Sequence, residues 1–223
     1  MLKIFVGWDA REDVAYQVCK KSIYDRSSIE VEVIPLIQSE LRTEGCYKRL
    51  PDEKAATDFT FTRFFVPYLM NYSGKAVFCD CDFLWDCDAK EILDLFDPQY
   101  AVQVVKHNYV PTESIKMDNK VQYQYPKKNW SSMILWNCEH PDNMKLTPEF
   151  LNQAAGSTLH QFKWLKEVDV GEISHIYNWL EGWYKEPKDG TPKVVHYTRG
   201  GPWFLEYQDV DYAELWLQEL KKL

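Results

Sequence analysis

The apolar run Ala76-Val77-Phe78-Cys79 ends directly in Asp80-Cys81-Asp82. Two ionised carboxylates one residue apart repel each other, and a cation between them relieves the repulsion. Oxygen donors of this kind suit Mg²⁺ or Mn²⁺, ions that bridge a few protein carboxylates to substrate phosphates. A strand that delivers such a pair at its carboxyl end places it at the sheet edge where open α/β folds bind ligands. The plain alternative is a solvated loop with incidental acids. Cys79, Cys81 and Cys87 crowd the same stretch and raise the option of a thiolate site. Yet Cys79 and Cys81 alternate with the aspartates, and the six cysteines lack the C-x-x-C spacing of a structural zinc site. Reduced, partly buried thiols are the expectation.

A second constellation is Val194-Val195-His196-Tyr197-Thr198-Arg199-Gly200-Gly201-Pro202-Trp203. An imidazole leaving a buried strand is a good ligand for Mn²⁺-class metals. Gly200 and Gly201 would let backbone N–H groups approach a phosphate closely. Arg199 would add charge-assisted bonds to it. The plain alternative is a core histidine at a strand end followed by an ordinary turn. Near the start, Asp9 follows Gly7-Trp8 and serves either as a helix N-cap or as part of a ligand site at a helix N-terminus, roles that coexist.

The elements that must position these groups alternate in type. Leu2 to Gly7 reads as a buried strand and Asp9 to Ser27 as a helix, with Val14, Val18 and Ser22 beside Ala15, Cys19 and Ile23 on one face. Glu30 to Pro35 is a second strand, so the chain opens as βαβ and predicts a mainly parallel sheet flanked by helices. Leu36 to Thr60 reads as a long loop of the kind that forms lids. Phe61 to Asn71 reads as a helix kinked or broken late by Pro67. Ile92 to Phe96 is a short helix, Tyr100 to Lys106 and Ser131 to Trp136 are strands, and His107 to Lys128 is a surface segment. Thr147-Pro148-Glu149 starts a helix that Gly156 ends. Lys193 to His196 is the last strand, and Asp211 to Leu223 an amphipathic helix.

The length of 223 residues suits a single α/β domain over 1–223. A net charge of −8 argues against nucleic acid, which needs a basic stripe. It permits one phosphorylated ligand whose charge a divalent ion offsets. No stretch has the roughly 18 consecutive apolar residues of a membrane span. The N-terminal apolar run is too short for a signal peptide, so a cytoplasmic location is the default. Aromatics reach 15%, with nine Trp and fourteen Tyr. Most suit a core, and some suit a sugar-lined cleft.

Taken in order along most of the chain, these segments resemble the retaining glycosyltransferases of the glycogenin and lipopolysaccharide galactosyltransferase group, in a bacterial or phage-like short form. That family has D-x-D after an apolar strand and a late H-x-x-G-x-x-K-P-W segment whose His completes the metal site. Ile4-Phe5-Val6-Gly7-Trp8-Asp9 looks like its first strand and nucleotide-binding turn. Thr62-Arg63-Phe64-Phe65-Val66-Pro67-Tyr68-Leu69 is similar to its S-R-x-x-x-P-x-L helix, whose Arg faces the donor; the plain reading of Arg63 is a surface helix charge. Trp130-Ser131-Ser132-Met133-Ile134-Leu135-Trp136-Asn137 resembles its F-N-A-G-V-x-x-x-N strand, and Leu159-His160-Gln161 sits where it has D-Q. The late segment is one residue shorter than the family's, and Gly201 replaces its Lys, which points to Arg199 as the substitute phosphate cation.

The resemblance implies a GT-A type nucleotide-diphospho-sugar transferase fold. It implies transfer of a sugar from a nucleotide-diphosphate donor, first a UDP-sugar, to a carbohydrate or glycoconjugate acceptor, with retained anomeric configuration. Asp80, Asp82 and His196 would hold Mn²⁺ or Mg²⁺, and Arg199 and the Gly200-Gly201 backbone would meet the diphosphate. Gln161 and Trp203 would stand near the sugar, and Gly7, Trp8, Asp9 and Arg63 near the nucleotide. One rival is a phosphohydrolase with D-x-D, but Phe83-Leu84 follow the motif here and it lies mid-chain. The other is a sugar- or nucleotide-binding module without catalysis.

Overall fold

A computed structural model describes residues 1–52, 55–108 and 126–223. The apolar run Leu2–Gly7 forms β1, and Val31–Leu36 forms β2 parallel to it. Between them, Ala10–Glu12 makes one 3₁₀ turn before helix α1, Asp13–Arg26. The buried face of α1 carries Ala15, Tyr16, Val18, Cys19, Ser22 and Ile23. Val14, expected on that face, lies on the solvent side at 37% exposure. Val14 shares the stripe of Val18 and Ser22 but stands in the first turn of α1, where spacing alone does not decide whether a neighbour covers it.

Inside the expected Leu36–Thr60 loop, Gln38–Thr43 forms helix α2. The expected helix from Phe61 is instead a 3₁₀ turn, Thr62–Phe65, running into the short helix α3, Val66–Leu69. Pro67 sits in the first turn of α3, where its missing N–H costs nothing, and does not act as a late break. Asn71 and Tyr72 then adopt positive φ and end the helix.

Lys75–Cys79 forms β3, which pairs with β1 in parallel. Phe83–Trp85 forms β4, too short for sequence periodicity to show. Ala89–Asp94 is α4, capped by Asp88 through the Lys90 N–H. Val102–Val104 is β5 and Met133–Asn137 is β6. Thr147 caps α5, Pro148–Gln153, as its sequence predicts, but Gly156 does not end that helix. It begins the next one, α6, Gly156–His160, where it packs under the Phe61 ring. Val170–Glu172, Trp179–Leu180 and Val194–His196 form β7, β8 and β9, and Ala213–Leu220 forms α7. Most of the expected His107–Lys128 surface segment lies outside the described residues.

The main sheet has the order β2-β1-β3-β6-β5-β7. Only β6 among its strands runs against its neighbours, so the sheet is mainly parallel. A second sheet has the order β4-β9-β8, with β4 antiparallel and β8 parallel to β9. The large core lies around the main sheet and includes Ile4, Phe64, Val77, Phe78 and Trp136. A small second cluster, Val18, Leu84, Val195, Tyr197 and Trp216, joins the second sheet to α1 and α7. At about 25 cal/mol per Å² of apolar area removed from water, burial of the large rings dominates the stability of both cores.

Candidate metal centre

Past the end of β3 the chain turns at Cys81 and Asp82 into β4; along it Cys79, Cys81 and Phe83 are buried, and Asp80 and Asp82 are half-buried. The Asp80 N–H continues the ladder by donating to the Ser132 carbonyl at 2.9 Å. From the other sheet, the β4–β9 register sets Phe83 opposite His196, and the Tyr197 N–H donates to the Asp82 carbonyl at 3.0 Å. Antiparallel pairing thereby brings His196 beside Asp82. One ligand atom from each of Asp80, Asp82 and His196 lies within 4.8 Å of the others. Donors about 2.1 Å from one octahedral ion are at most about 4.2 Å apart, so a small inward movement closes the set.

His196 Nε2 stands 3.4 Å from Asp82 Oδ2, with the imidazole 2% exposed and each Asp side chain 14% exposed. The site therefore opens to solvent through its carboxylates. The Phe83 ring stacks on the imidazole at 4.3 Å between centroids. On the ring's far edge, His196 Nδ1 lies 2.9 Å from Asn178 Oδ1 and 3.4 Å from Ser132 Oγ. The donor set of two carboxylates and an imidazole fits Mn²⁺ or Mg²⁺. The thiolate alternative does not fit: Cys81 is fully buried, and burial, with the nearby carboxylates, pushes its thiol far up. All six cysteines are free and buried.

Arg63 is neither a surface helix charge nor a free cation. Its guanidinium is buried, donates from Nη1 to the Ser131 carbonyl at 2.7 Å and pairs with Asp80 Oδ1 at 2.9 Å. Nε donates to the Phe59 carbonyl, and the group lies over the Phe78 ring. Arg63 thus aims Asp80. The same Ser131 holds His160 through Oγ···Nδ1 at 2.8 Å, which ties the end of α6 to the Asp80 side of the site. Gln161 follows there, half-buried, its carbonyl accepting from Lys127 Nζ.

Sequence reading passes over Glu12, which is 2% exposed near the trio. Its carboxyl is pushed up to about 8, first by burial and then by the fields of Asp82, Asp9 and Asp80. Asp9-x-x-Glu12 has the spacing of a capping box, a motif that normally faces solvent, so the pattern gives no sign of this burial. Asp9 caps the 3₁₀ turn as expected, accepting from the Arg11 N–H, the Arg11 guanidinium and the Asp58 N–H. Burial alone would raise its pKa, but these bonds outweigh it and hold the carboxyl below the usual value. Trp8 donates from Nε1 to Asp13.

Around the glycines expected near the nucleotide and the phosphates, the structure shows close packing by aromatic rings. A Cβ on Gly7 would lie 2.4 Å from the Phe59 ring, and one on Gly201 2.0 Å from the Trp203 ring. Gly200, at φ 129°, faces the Tyr207 ring. These positions make room for aromatic side chains. The Trp203 ring in turn packs on Tyr197, Phe204 and Trp216, so it belongs to the second core cluster. Arg199, expected at the donor phosphates, bonds the buried Glu181 carboxylate, with Nη2 at 2.9–3.0 Å from both oxygens. A cavity beside the first turn, bordered by Arg11, Arg42, Tyr47, Thr57 and Phe61, is not lined by Asp80, Asp82 or His196.

No known family profile matches the sequence. In structure, the chain is similar to the WbbM bifunctional glycosyltransferase, with a TM-score of 0.69 at 15% identity, over 98% of this chain and 49% of that one. The glycosyltransferase GlyE of Streptococcus pneumoniae TIGR4 gives 0.61 at 14%, over 98% and 60%. The galactosyltransferase LgtC gives 0.59 at 14%, over 100% and 96%. This chain therefore spans about half of WbbM and three fifths of GlyE, but nearly all of LgtC. At these identities the likeness shows the fold, which is the GT-A glycosyltransferase fold. In sequence, Protein CDI of Arabidopsis thaliana is 52% identical over 223 residues, which are 99% of this chain and 86% of that protein. That relative is a plant protein, where the sequence suggested a bacterial or phage-like form. At that identity, over nearly its whole length, the chain belongs to the family of Protein CDI.

Proposed function

We propose that this chain is a glycosyltransferase that moves a hexose from a nucleotide-diphosphate sugar, first a UDP-sugar, to a carbohydrate or glycoconjugate acceptor. We further propose that the reaction needs Mn²⁺ or Mg²⁺, retains the anomeric configuration, and runs within one domain over 1–223. The observation that carries the reading is the convergence of Asp80, Asp82 and His196 from two sheets of a GT-A fold. Support comes from the neighbours: LgtC was solved with donor and acceptor sugar analogues, and another similar structure is mouse xyloside xylosyltransferase 1, at a TM-score of 0.54. The six free thiols support a cytoplasmic setting. Among the described residues no helix is long and apolar enough to cross a membrane.

When bound, the divalent ion supplies Lewis-acid neutralisation of the diphosphate leaving group. The chain's own residues do the rest. Arg63 orients the Asp80 carboxylate through their ion pair. Phe83 and the β4–β9 ladder hold His196 against Asp82. Gln161 faces the transferred sugar, and Arg199 meets the diphosphate on leaving Glu181; both roles are part of the proposal. As charge grows on the leaving group, fixed cations stabilise the transition state more than the ground state. The test is turnover of a panel of UDP- and GDP-sugars with Mn²⁺, following nucleoside diphosphate release and the product's anomeric proton by NMR. Release with no donor, in metal-replete buffer with and without candidate acceptors, would overturn the reading. An inverted product would overturn retention alone.

A further inference from the structure

We propose that Asn178 is a positioning residue that locks His196 in the tautomer protonated on Nδ1, so that Nε2 is the nitrogen offered to a metal. The proposal rests on the metal reading of Asp80, Asp82 and His196.

The donors and acceptors from Asn129 to His196 are ordered in one direction. Ser132 Oγ lies 2.7 Å from the Asn129 carbonyl oxygen, which only accepts, so the hydroxyl hydrogen points there. The remaining lone pairs of Ser132 Oγ accept. Asn178 donates to them from Nδ2 at 2.9 Å. That fixes the amide with Oδ1 turned to His196 Nδ1, also at 2.9 Å. An amide oxygen only accepts, so Nδ1 must carry the proton. In the neutral ring Nε2 then bears a lone pair, and it faces Asp82 Oδ2 at 3.4 Å. Two acceptors that close call for a cation between them.

Asn178 is fully buried, so no water competes for the amide. It ends the 3₁₀ turn His175–Asn178, directly before β8. The β8–β9 register sets Leu180 opposite His196 and thereby holds Asn178 behind the imidazole. The Phe83 stack fixes the ring plane. The reversed amide would put Nδ2 against Nδ1 and the proton on Nε2. The Asp82 contact would then be an ordinary hydrogen bond, and the Asn129 carbonyl would lose the Ser132 hydroxyl. Partners that orient a ligating histidine in this way typically change metal affinity 10–100-fold when removed.

The test uses the full chain with ¹⁵N-labelled histidine, metal-free, in mildly alkaline buffer. Two-bond ¹H–¹⁵N spectra should show His196 protonated on Nδ1. Asn178→Ala should move proton population to Nε2 and weaken Mn²⁺ binding, read by electron paramagnetic resonance, by about 10–100-fold. Asn178→Asp keeps an acceptor at Oδ1 and should keep both the tautomer and most of the affinity. Ser132→Ala frees the amide and should shift the tautomer in the same direction as Asn178→Ala, which serves if the latter fails to fold. A wild-type ring protonated on Nε2 overturns the proposal. So does an alanine variant with unchanged tautomer and unchanged Mn²⁺ affinity. A wild-type ring protonated on Nδ1 in a chain that takes up no Mn²⁺ supports the positioning role and overturns the metal reading alone.

Discussion

Removing the Arg199 side chain separates its pairing with Glu181 from the diphosphate contact proposed for it. The guanidinium lies flat on the Gly182 backbone and bonds Glu181, whose side chain is 2% exposed against 29% for Arg199. Breaking a buried ion pair typically costs about 3–5 kcal/mol, because the remaining charge stays buried and unpaired. Here water can reach the vacated side, so Arg199→Ala is expected to cost about 2–3 kcal/mol. For a chain of this size that is a fall of about 4–12 °C in melting temperature. Glu181→Gln on top of Arg199→Ala removes the stranded charge and keeps an acceptor for the Asp211 N–H, so most of the loss should return. The double variant then tests catalysis on a stable fold. If Arg199 also grips the donor diphosphate, kcat stays about 10²-fold low while the melting temperature recovers. If kcat recovers with stability, Arg199 is a latch for the turn after β9 and has no phosphate role. A single Arg199→Ala variant that melts at the wild-type temperature would refute the buried-pair reasoning itself.

Asp82→Ala should abolish Mn²⁺ uptake and donor turnover while leaving the melting curve of the metal-free chain intact, since it removes a ligand and no core contact; turnover within a few-fold of wild type would refute its role. Gly201→Ala drives a Cβ into the Trp203 ring and should cost about 1–3 kcal/mol of stability by denaturant titration, because the ring cannot move without losing Tyr197 and Trp216. Glu12 is raised from 4.5 to about 8, so its contribution is fully present below about pH 4.5 and is lost as pH rises through 8. Melts of the metal-free chain should show that decline, and Glu12→Gln should abolish it. His107 has the opposite sign: burial lowers it from 6.5 to about 3, so its contribution holds above about pH 6.5 and fades as pH falls towards 3. His107→Gln should flatten that acid limb.

The parts of the fold legible in sequence are those with enough residues to show a period or a cap. β1, β3 and the Thr147 cap of α5 are cases. β4, β7 and β8 have two or three residues each, and no period can appear in so few. Of the second sheet only β9, which carries His196, was legible, and its partners β4 and β8 were not. Of the site, residue type and strand context pointed to Asp80, Asp82 and His196. The partners that aim them come from far along the chain. Ser131 and Ser132 drew notice only as part of a segment resembling a family strand, and neither Asn178 nor Glu12 carried a signal. Glycine next to a chemical motif suggested a ligand, and sequence could not show that Gly7 and Gly201 also leave room for the Phe59 and Trp203 rings, which come to them only in the fold.

The pairing of β4 with β9 has a consequence for which errors the fold can tolerate. Side chains alternate faces along a strand, so a slip of one residue turns every one of them over. Slipped in that way, Val195 would stand beside Asp82, and the His196 imidazole would enter the cluster of Val18, Leu84, Tyr197 and Trp216. The first change removes a ligand; the second buries a polar ring among apolar ones, which costs a few kcal/mol without a hydrogen-bond partner. Packing and chemistry therefore reject the same misalignment. A one-residue deletion within Phe83–Trp85 or Val194–His196 would be read as a frameshift of the sheet, losing fold and site together, whereas insertions in the turns outside the ladder leave this check intact.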